Sequence, residues 1–362
     1  MPEVAYDVER VRALYPALEG PRVWLDGAAG TQSPLSVIEA IADTYRTGTS
    51  NGGGTFASSR AADEISDAAR SAVADLVGAS DPSGVVLGPN MTTLTYRFAQ
   101  ALAHGWQVGD NVVVSELDHD ANVRPWVQWA EASGVEVRWA RVDVDTGELP
   151  AQQYAELIDE RTRVVAVTGA SNVLGTRPDV RAITDAAHNV GALAYVDGVH
   201  STAHGVVDVA ELGSDFYVTS AYKWDGPHVG ALIADPVLLE QLTPFKLASS
   251  SENVPDRFEW GTPSYANFAG VVAAVDHLAA LVTGATGSRR EGLVASLTAG
   301  HEHESVLLDR MLTALVADER ITLYGRPKNR TATVFFRVAG ETPEQTTHRL
   351  ADADINAWHG HN

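Results

Sequence analysis

Through the first two thirds of the chain, apolar residues recur in two alternating rhythms. Short β-branched runs at residues 84–87, 111–115, 135–140, 164–168, 192–196, 215–220 and 229–234 predict strands. Between them, apolar positions three and four apart predict amphipathic helices over residues 62–77, 92–103, 121–132 and 180–190. The strand candidates are nearly continuous in their apolar content, as expected when both faces of a sheet are covered. Strand and helix in alternation therefore predict an α/β fold around a mostly parallel central sheet. From about Asn267 the rhythm changes. Two long helical stretches, 268–281 and 291–316, flank a Gly-Ser-rich break at 284–288. Strand-like runs follow at 321–324 and 331–337, then a helix at 343–351. This is the pattern of a smaller α+β C-terminal domain.

The expected organisation is an N-terminal arm (1–24) packing on the small domain, a large domain (25–265), and a connecting helix with the small domain (266–362). No internal repeat or low-complexity tract interrupts it. The glycines of "NGGGT" at 51–55 are expected to form a flexible loop within the large domain, and Phe56 beside them is either a pocket wall or a packing anchor.

Composition narrows the partners. The 362 residues are 45% hydrophobic and 20% charged, as in a globular protein with a sizeable core. A formal net charge of −21 argues against nucleic acid and against an anionic membrane surface. An anionic ligand would then be held by local devices, such as a helix N-terminus and a few placed cations. With no cysteine, the residues given offer no disulfide, no zinc-thiolate site and no thiol nucleophile. The first residues carry charges and lack the apolar segment of a secretory signal, and no run approaches the length of a membrane span, so a cytoplasmic protein is expected.

In an open parallel sheet, ligands bind where the strands end at their carboxyl edges. The residues following each expected strand are therefore the candidates. His119 lies in "ELDHDAN", Ser171 and Asn172 in "GASN", Asp197 and His200 in "DGVH", and Lys223 after "TSAY". The run "GPNMTT" leads from a strand into a helix, where free N–H groups can hold an anion and where Thr92 and Thr93 can also act as caps. A carboxylate closing an apolar strand is costly unless something cationic meets it, and Asp197 and Lys223 are such an acid and such a cation. A lysine for a Schiff base, a carboxylate for a pyridine nitrogen and an anion cradle are together what pyridoxal 5'-phosphate requires. Asp118, His119 and Asp120 also admit a metal reading, which is not preferred here; no metal site is expected. His301 and His303 of "HEHE" read as a solvated helix face.

Six motifs in order resemble the class V aminotransferase family, the fold-type I pyridoxal phosphate enzymes that include cysteine desulfurases. "VWLDGAAGTQSP" resembles the family's "YLDNAATSxxP", and "SELDHDANVRPW" its "SExEHHSNxxPW". "ASNVLGT", "ALAYVDGVH", "DVAELGSDFYVTSAYKWDGPHVGAL" and "FEWGTPS" resemble its remaining signatures, and together they cover nearly the whole chain. The resemblance implies that Lys223 carries the cofactor as an internal aldimine, that Asp197 pairs with its pyridine nitrogen and that His119 stacks on its ring. It implies Asn172 and His200 at the phenolic oxygen. The phosphate would meet Thr92, Thr93, Ser220 and Tyr222, with Thr262 reaching in from a second subunit of a homodimer with shared active sites. The family usually has histidine where this chain has Tyr222, which departs from the pattern but can still donate one O–H bond.

The expected reaction is desulfurase-like C–S cleavage of a small amino acid through an external aldimine. The alternatives are an aminotransferase with a second half reaction, and a pyridoxal phosphate-binding protein without turnover. "DINAWHGHN" resembles a desulfurase stretch "GIxVRxGHHC", so the sequence stops one residue before the family's cysteine, and Trp358 stands at its arginine. The arginine that binds the substrate carboxylate also lies beyond this point in the family. The small domain is thus expected to be incomplete at its C-terminus.

Overall fold

Seven of the apolar runs become strands of one sheet. The structure is a computed structural model that describes residues 5–360. The strands are β1 (Val85–Gly88), β2 (Asn111–Ser115), β3 (Glu136–Ala140), β4 (Thr162–Thr168), β5 (Leu193–Asp197), β6 (Phe216–Ser220) and β7 (Gly230–Ala234). Their order across the sheet is β1-β7-β6-β5-β4-β2-β3. Only β7 runs against its neighbours, β1 and β6; the remaining pairs are parallel. Parallel pairing follows from the intervening helices, which return the chain to the same edge.

Side chains alternate between two apolar cores, as the two-residue period of a strand requires. Tyr195, Phe216, Val218 and Leu232 face Leu94, Phe98 and Trp126, whereas Val196, Tyr217, Ala231 and Ile233 face Val73, Leu76 and Val271. On the first face the rings of Trp126, Tyr195, Phe216, Phe98 and Phe258 follow one another with centroids 4.8–5.7 Å apart. The covering helices are α1 (Leu35–Thr47), α2 (Ala57–Val77), α3 (Met91–Ala103), α4 (Arg124–Ser133), α5 (Val180–His188) and α6 (Tyr265–Ala279). Helix α6 packs on α1 and α2. The long α7 (Arg289–Ala317) leads to an antiparallel pair, Ile321–Tyr324 with Phe335–Val338, and to α8 (Pro343–Asp352). Near the N-terminus, Ala5–Tyr6 pairs with Val282–Thr283, and Val23–Trp24 with Ile355–Asn356.

Several local expectations are corrected. The helix expected at 121–132 is interrupted: a 3-10 turn at Asp120–Asn122 ends at Val123, and α4 starts at Arg124 with Pro125 in its first turn. Proline has no N–H to lose there and its ring would clash within a continuous helix. The strand expected from residue 331 begins only at Phe335. Before it, Arg330 bridges Thr176, and the Thr331 N–H donates to the Gly175 carbonyl, so this piece lies along the loop after β4. Nor is the 51–56 segment free: Gly52, Gly53 and Gly54 donate N–H bonds to Tyr265 Oη, Asp63 and Ser59 Oγ. Phe56 is exposed at the start of α2 and lines no cavity described below.

One glycine controls how closely sheet and helix approach. A Cβ at Gly230 would lie 2.3 Å from the backbone carbon of Asn90, immediately before α3. Gly230→Ala must push α3 away from β7, and a destabilisation of about 1–3 kcal/mol is expected in denaturant melts, together with weaker anion binding at this helix end.

Candidate active site

The chain brings its expected chemistry to one edge of the sheet, where β4, β5 and β6 end and the antiparallel β7 begins. Thr92, His119, Asn172, Asp197, His200, Ser220, Tyr222 and Lys223 line one cavity, with Asn90, Met91, Ala121, Thr168, Ala170 and Val199 completing its wall. Thr93 and Thr262 lie outside it. The Thr93 N–H is taken by the Asn90 side chain at 2.8 Å, and Thr262 is exposed on the surface.

Asp197 is the last residue of β5, 4% exposed, and its Oδ1 accepts the Val199 N–H at 2.9 Å. The next residue must be small, because a Cβ at Gly198 would fall 1.9 Å from the Tyr217 ring. Burial pushes the carboxyl up to about 6, a shift opposed by the Val199 N–H and by the charge of Lys223. The expected direct pairing of these two groups is not formed. Lys223 Nζ donates instead to the backbone carbonyl of Ala28, a main-chain acceptor with no side-chain signature. The carboxylate therefore keeps acceptor capacity directed at a buried space, a costly arrangement unless a cationic donor enters the cavity.

Lys223 is 9% exposed and follows β6 on a tight turn. The buried indole of Trp224 anchors this turn through an Nε1–H bond to Thr219 Oγ1 (3.1 Å). Burial lowers the ammonium to about 8, and Asp197 acts in the opposite direction. A lysine so tuned is more often neutral and nucleophilic than one in water. Nζ also lies 5.2 Å from the centroid of the Tyr222 ring, whose far neighbour is His228, stacked at 4.9 Å and 4°.

The two histidines are held neutral by different surroundings. His119 Nδ1 accepts the Ala121 N–H at 3.0 Å, which assigns the ring proton to Nε2. Burial, and then the Lys223 charge, lowers its basicity. His200 is buried with Nε2 within 3.1 Å of Thr331 Oγ1 and 2.9 Å of Thr333 Oγ1, and burial holds it well below the ordinary imidazole range. Those threonines, some 130 residues further along the chain, were not foreseen as site residues. Beneath His119, Asp118 accepts from Ser115 Oγ and from Asn122 Nδ2 (2.7 Å); burial pushes it up to about 8. Among the described residues no cluster of three acids or histidines could hold a metal ion, so the Asp118–His119–Asp120 metal alternative finds no support.

The α3 N-terminus forms the remaining wall. Asn90 caps it, no acid occupies its first turn, and the Met91 N–H donates to Ser220 Oγ at 2.9 Å. That acceptor bond leaves the Ser220 O–H free to donate into the cavity. Donors, helix dipole and small residues thus favour an anionic group at this end. His301, expected on a solvated face, is half-buried against a second cavity beside the lysine turn, and His303 packs on Tyr6 with centroids 5.6 Å apart.

Comparisons with known proteins match over most of the chain. The profile of a family described as aminotransferase class-V matches residues 23–362. An uncharacterized protein of Mycobacterium tuberculosis, MT3887, is 38% identical over 98% of this chain and 89% of its own. A cysteine desulfurase of Yersinia pseudotuberculosis is 33% identical over 92% of this chain and 84% of its own. Among solved structures, the cysteine desulfurase CsdA of Escherichia coli superposes with a TM-score of 0.85 at 27% identity, over 97% of this chain and 87% of its own.

Proposed function

The chain belongs to the aminotransferase class-V family, a pyridoxal 5'-phosphate enzyme of the cysteine desulfurase-like kind, and from that premise we propose that it cleaves the C–S bond of a small amino acid. The observation that carries the reading is the pair on the walls of one cavity: a desolvated, readily neutral Lys223 and a buried Asp197 that, among the described residues, forms no ion pair. When bound, the cofactor supplies an electron sink for bonds at the substrate's α- and β-carbons.

The residues fit that group. Lys223 Nζ would hold its aldehyde carbon, and Asp197 would keep a proton on its ring nitrogen. His119, flat and neutral, would cover the ring. Asn172 and His200 would face its phenolic oxygen, with Thr331 and Thr333 fixing the imidazole. Ser220, Thr92 and Tyr222 would donate to its phosphate at the α3 N-terminus. Lys223 Nζ would be the base that moves a proton at the substrate α-carbon, its lowered basicity suiting transfer near neutral pH. A homodimer in which Thr262 completes the neighbour's phosphate site accords with its exposure outside its own cavity.

Sulfur that leaves cysteine with alanine as co-product is at the level of elemental sulfur and must pass to a thiol. These 362 residues contain none, so in an assay of this chain dithiothreitol supplies the acceptor thiol. Purified holoenzyme with L-cysteine and dithiothreitol is expected to give sulfide and alanine in equal amounts. Sulfide with pyruvate would reassign the chain as a lyase, and amino transfer to a 2-oxo acid without sulfide would overturn C–S cleavage altogether.

A further inference from the structure

The lysine turn is tied to the N-terminal segment at three points. Thr31 accepts the Asp225 N–H on Oγ1 (2.8 Å) and donates its own N–H to the Tyr222 carbonyl (2.9 Å). Ala28 accepts from Lys223 Nζ. Tyr15 Oη lies 2.8 Å from Asp225 Oδ2 and 2.8 Å from His277 Nε2. A phenol has one proton, so Tyr15 donates to the carboxylate and His277 donates to Tyr15. Asp225 has φ of 69°, a left-handed conformation that aspartate and asparagine tolerate better than other side chains. Two residues after the lysine, an acid is thus fixed by its backbone, its N–H and its carboxylate at once.

We propose that Asp225, held by Tyr15 and His277, is a positioning residue that fixes the direction and the dry surroundings of Lys223 Nζ. Tyr15 and His277 lie 262 residues apart in the sequence and meet only through the packing of α6 on the N-terminal segment. The groups facing Asp225 are Tyr15 and Glu304, with Tyr6 and Arg10 beyond Tyr15 and His277. Those facing Lys223 are Asp197, His119, His200 and Tyr222. Asp225 does not itself set the charge of Lys223. Its effect is mechanical: without the tie to Tyr15, only Thr31 and the Nζ bond to Ala28 hold the turn to the N-terminal segment, so the turn opens more often and water reaches Nζ more readily.

The inference rests on Lys223 as the cofactor lysine, so one of its two readouts is independent of cofactor. In the holoenzyme, the pH midpoint of the visible absorbance band is expected to rise by about one unit in Tyr15→Phe and Asp225→Ala, as Nζ becomes solvated. The double variant should move no further than either single one, since both cut the same link. Asp225→Asn keeps the backbone conformation and still accepts from Tyr15, so it should retain the wild-type midpoint. In the apoprotein, hydrogen exchange of the Asp225 amide should quicken at least about tenfold in Tyr15→Phe, a variant that loses a single hydroxyl. Unchanged exchange and midpoint in Tyr15→Phe, additive shifts in the double variant, or an Asp225→Asn midpoint equal to that of Asp225→Ala would each overturn the positioning role. A wild-type protein with no visible band would sink the cofactor-lysine reading, and the exchange measurement would still decide the clamp.

Discussion

Replacing Lys223 by alanine is expected to abolish the visible absorbance of the protein with pyridoxal phosphate and to lower turnover by roughly 10³–10⁴-fold. The assignment is unusually exclusive, because the chain has only three lysines. Lys246 is paired with Glu252 at 2.7 Å, and Lys328 is exposed; neither lines the cavity. No other ε-amine can take the place of Lys223 there. The variant should also fold, because the turn is anchored elsewhere: by the Trp224 indole on Thr219, and by Asp225 and Tyr222 on Thr31. What is lost is one amine and its bond to Ala28. Apoprotein melts of variant and wild type should therefore differ by no more than about 1–2 kcal/mol. Persistence of the band in Lys223→Ala would require an unassigned amine and would remove the basis of the proposed chemistry. Loss of the band with a matching collapse of the melt would point to a structural lysine.

The sequence made the scaffold legible because both faces of the sheet are covered. Runs such as "VVAVT" and "FYVTS" are buried at every position and polar only at their carboxyl ends, and seven such runs could be placed within about two residues of their ends. The rule that ligands gather at strand carboxyl ends then selected His119, Asn172, Asp197 and Lys223 before any contact was known. Helix α1 was not singled out. Its buried face is the short stripe Val37, Ile41 and Thr44, which the exposed Leu35, Ile38 and Tyr45 on other sides blur in the sequence. Contacts made by backbone were invisible for a plainer reason: Ala28 serves Lys223 with its carbonyl, which every residue has. Thr331 and Thr333 were hidden by a misplaced strand. Their alternation suits a strand, but hydrogen bonding to Gly175 and to His200 claims them first. Asp225 was passed over because its role depends on Tyr15 and His277, and only the packed α6 and N-terminal segment bring those two together. In each case the missing information was tertiary.

Asp197→Asn should separate charge from shape at the other wall of the cavity. Asparagine can keep the Val199 N–H bond, so the loop after β5 and the place of Gly198 are retained. It cannot hold a proton on a ring nitrogen by charge. With the electron sink weakened, turnover should fall by about 10³-fold, the scale expected for removing a charged partner from a desolvated site. Stability should move the other way. In the wild-type apoprotein, burial raises the carboxyl from 3.8 to about 6. The native state thus binds this proton more tightly than the unfolded chain does. The group's stabilising contribution is fully present below about pH 4 and is lost as pH rises through 6. Asparagine has no such loss, so the variant's melting curve should gain on the wild type between pH 4 and 7. A slope will remain in both proteins, because burial also raises Asp118 and Asp225. The difference between the two curves isolates Asp197. A variant that is less active yet relatively more stable at pH 7 would identify the buried charge as functional, since a purely structural acid would lose both together. If activity survives with stability improved, Asp197 is not the partner of the ring nitrogen, and the two-wall reading of the cavity falls with it.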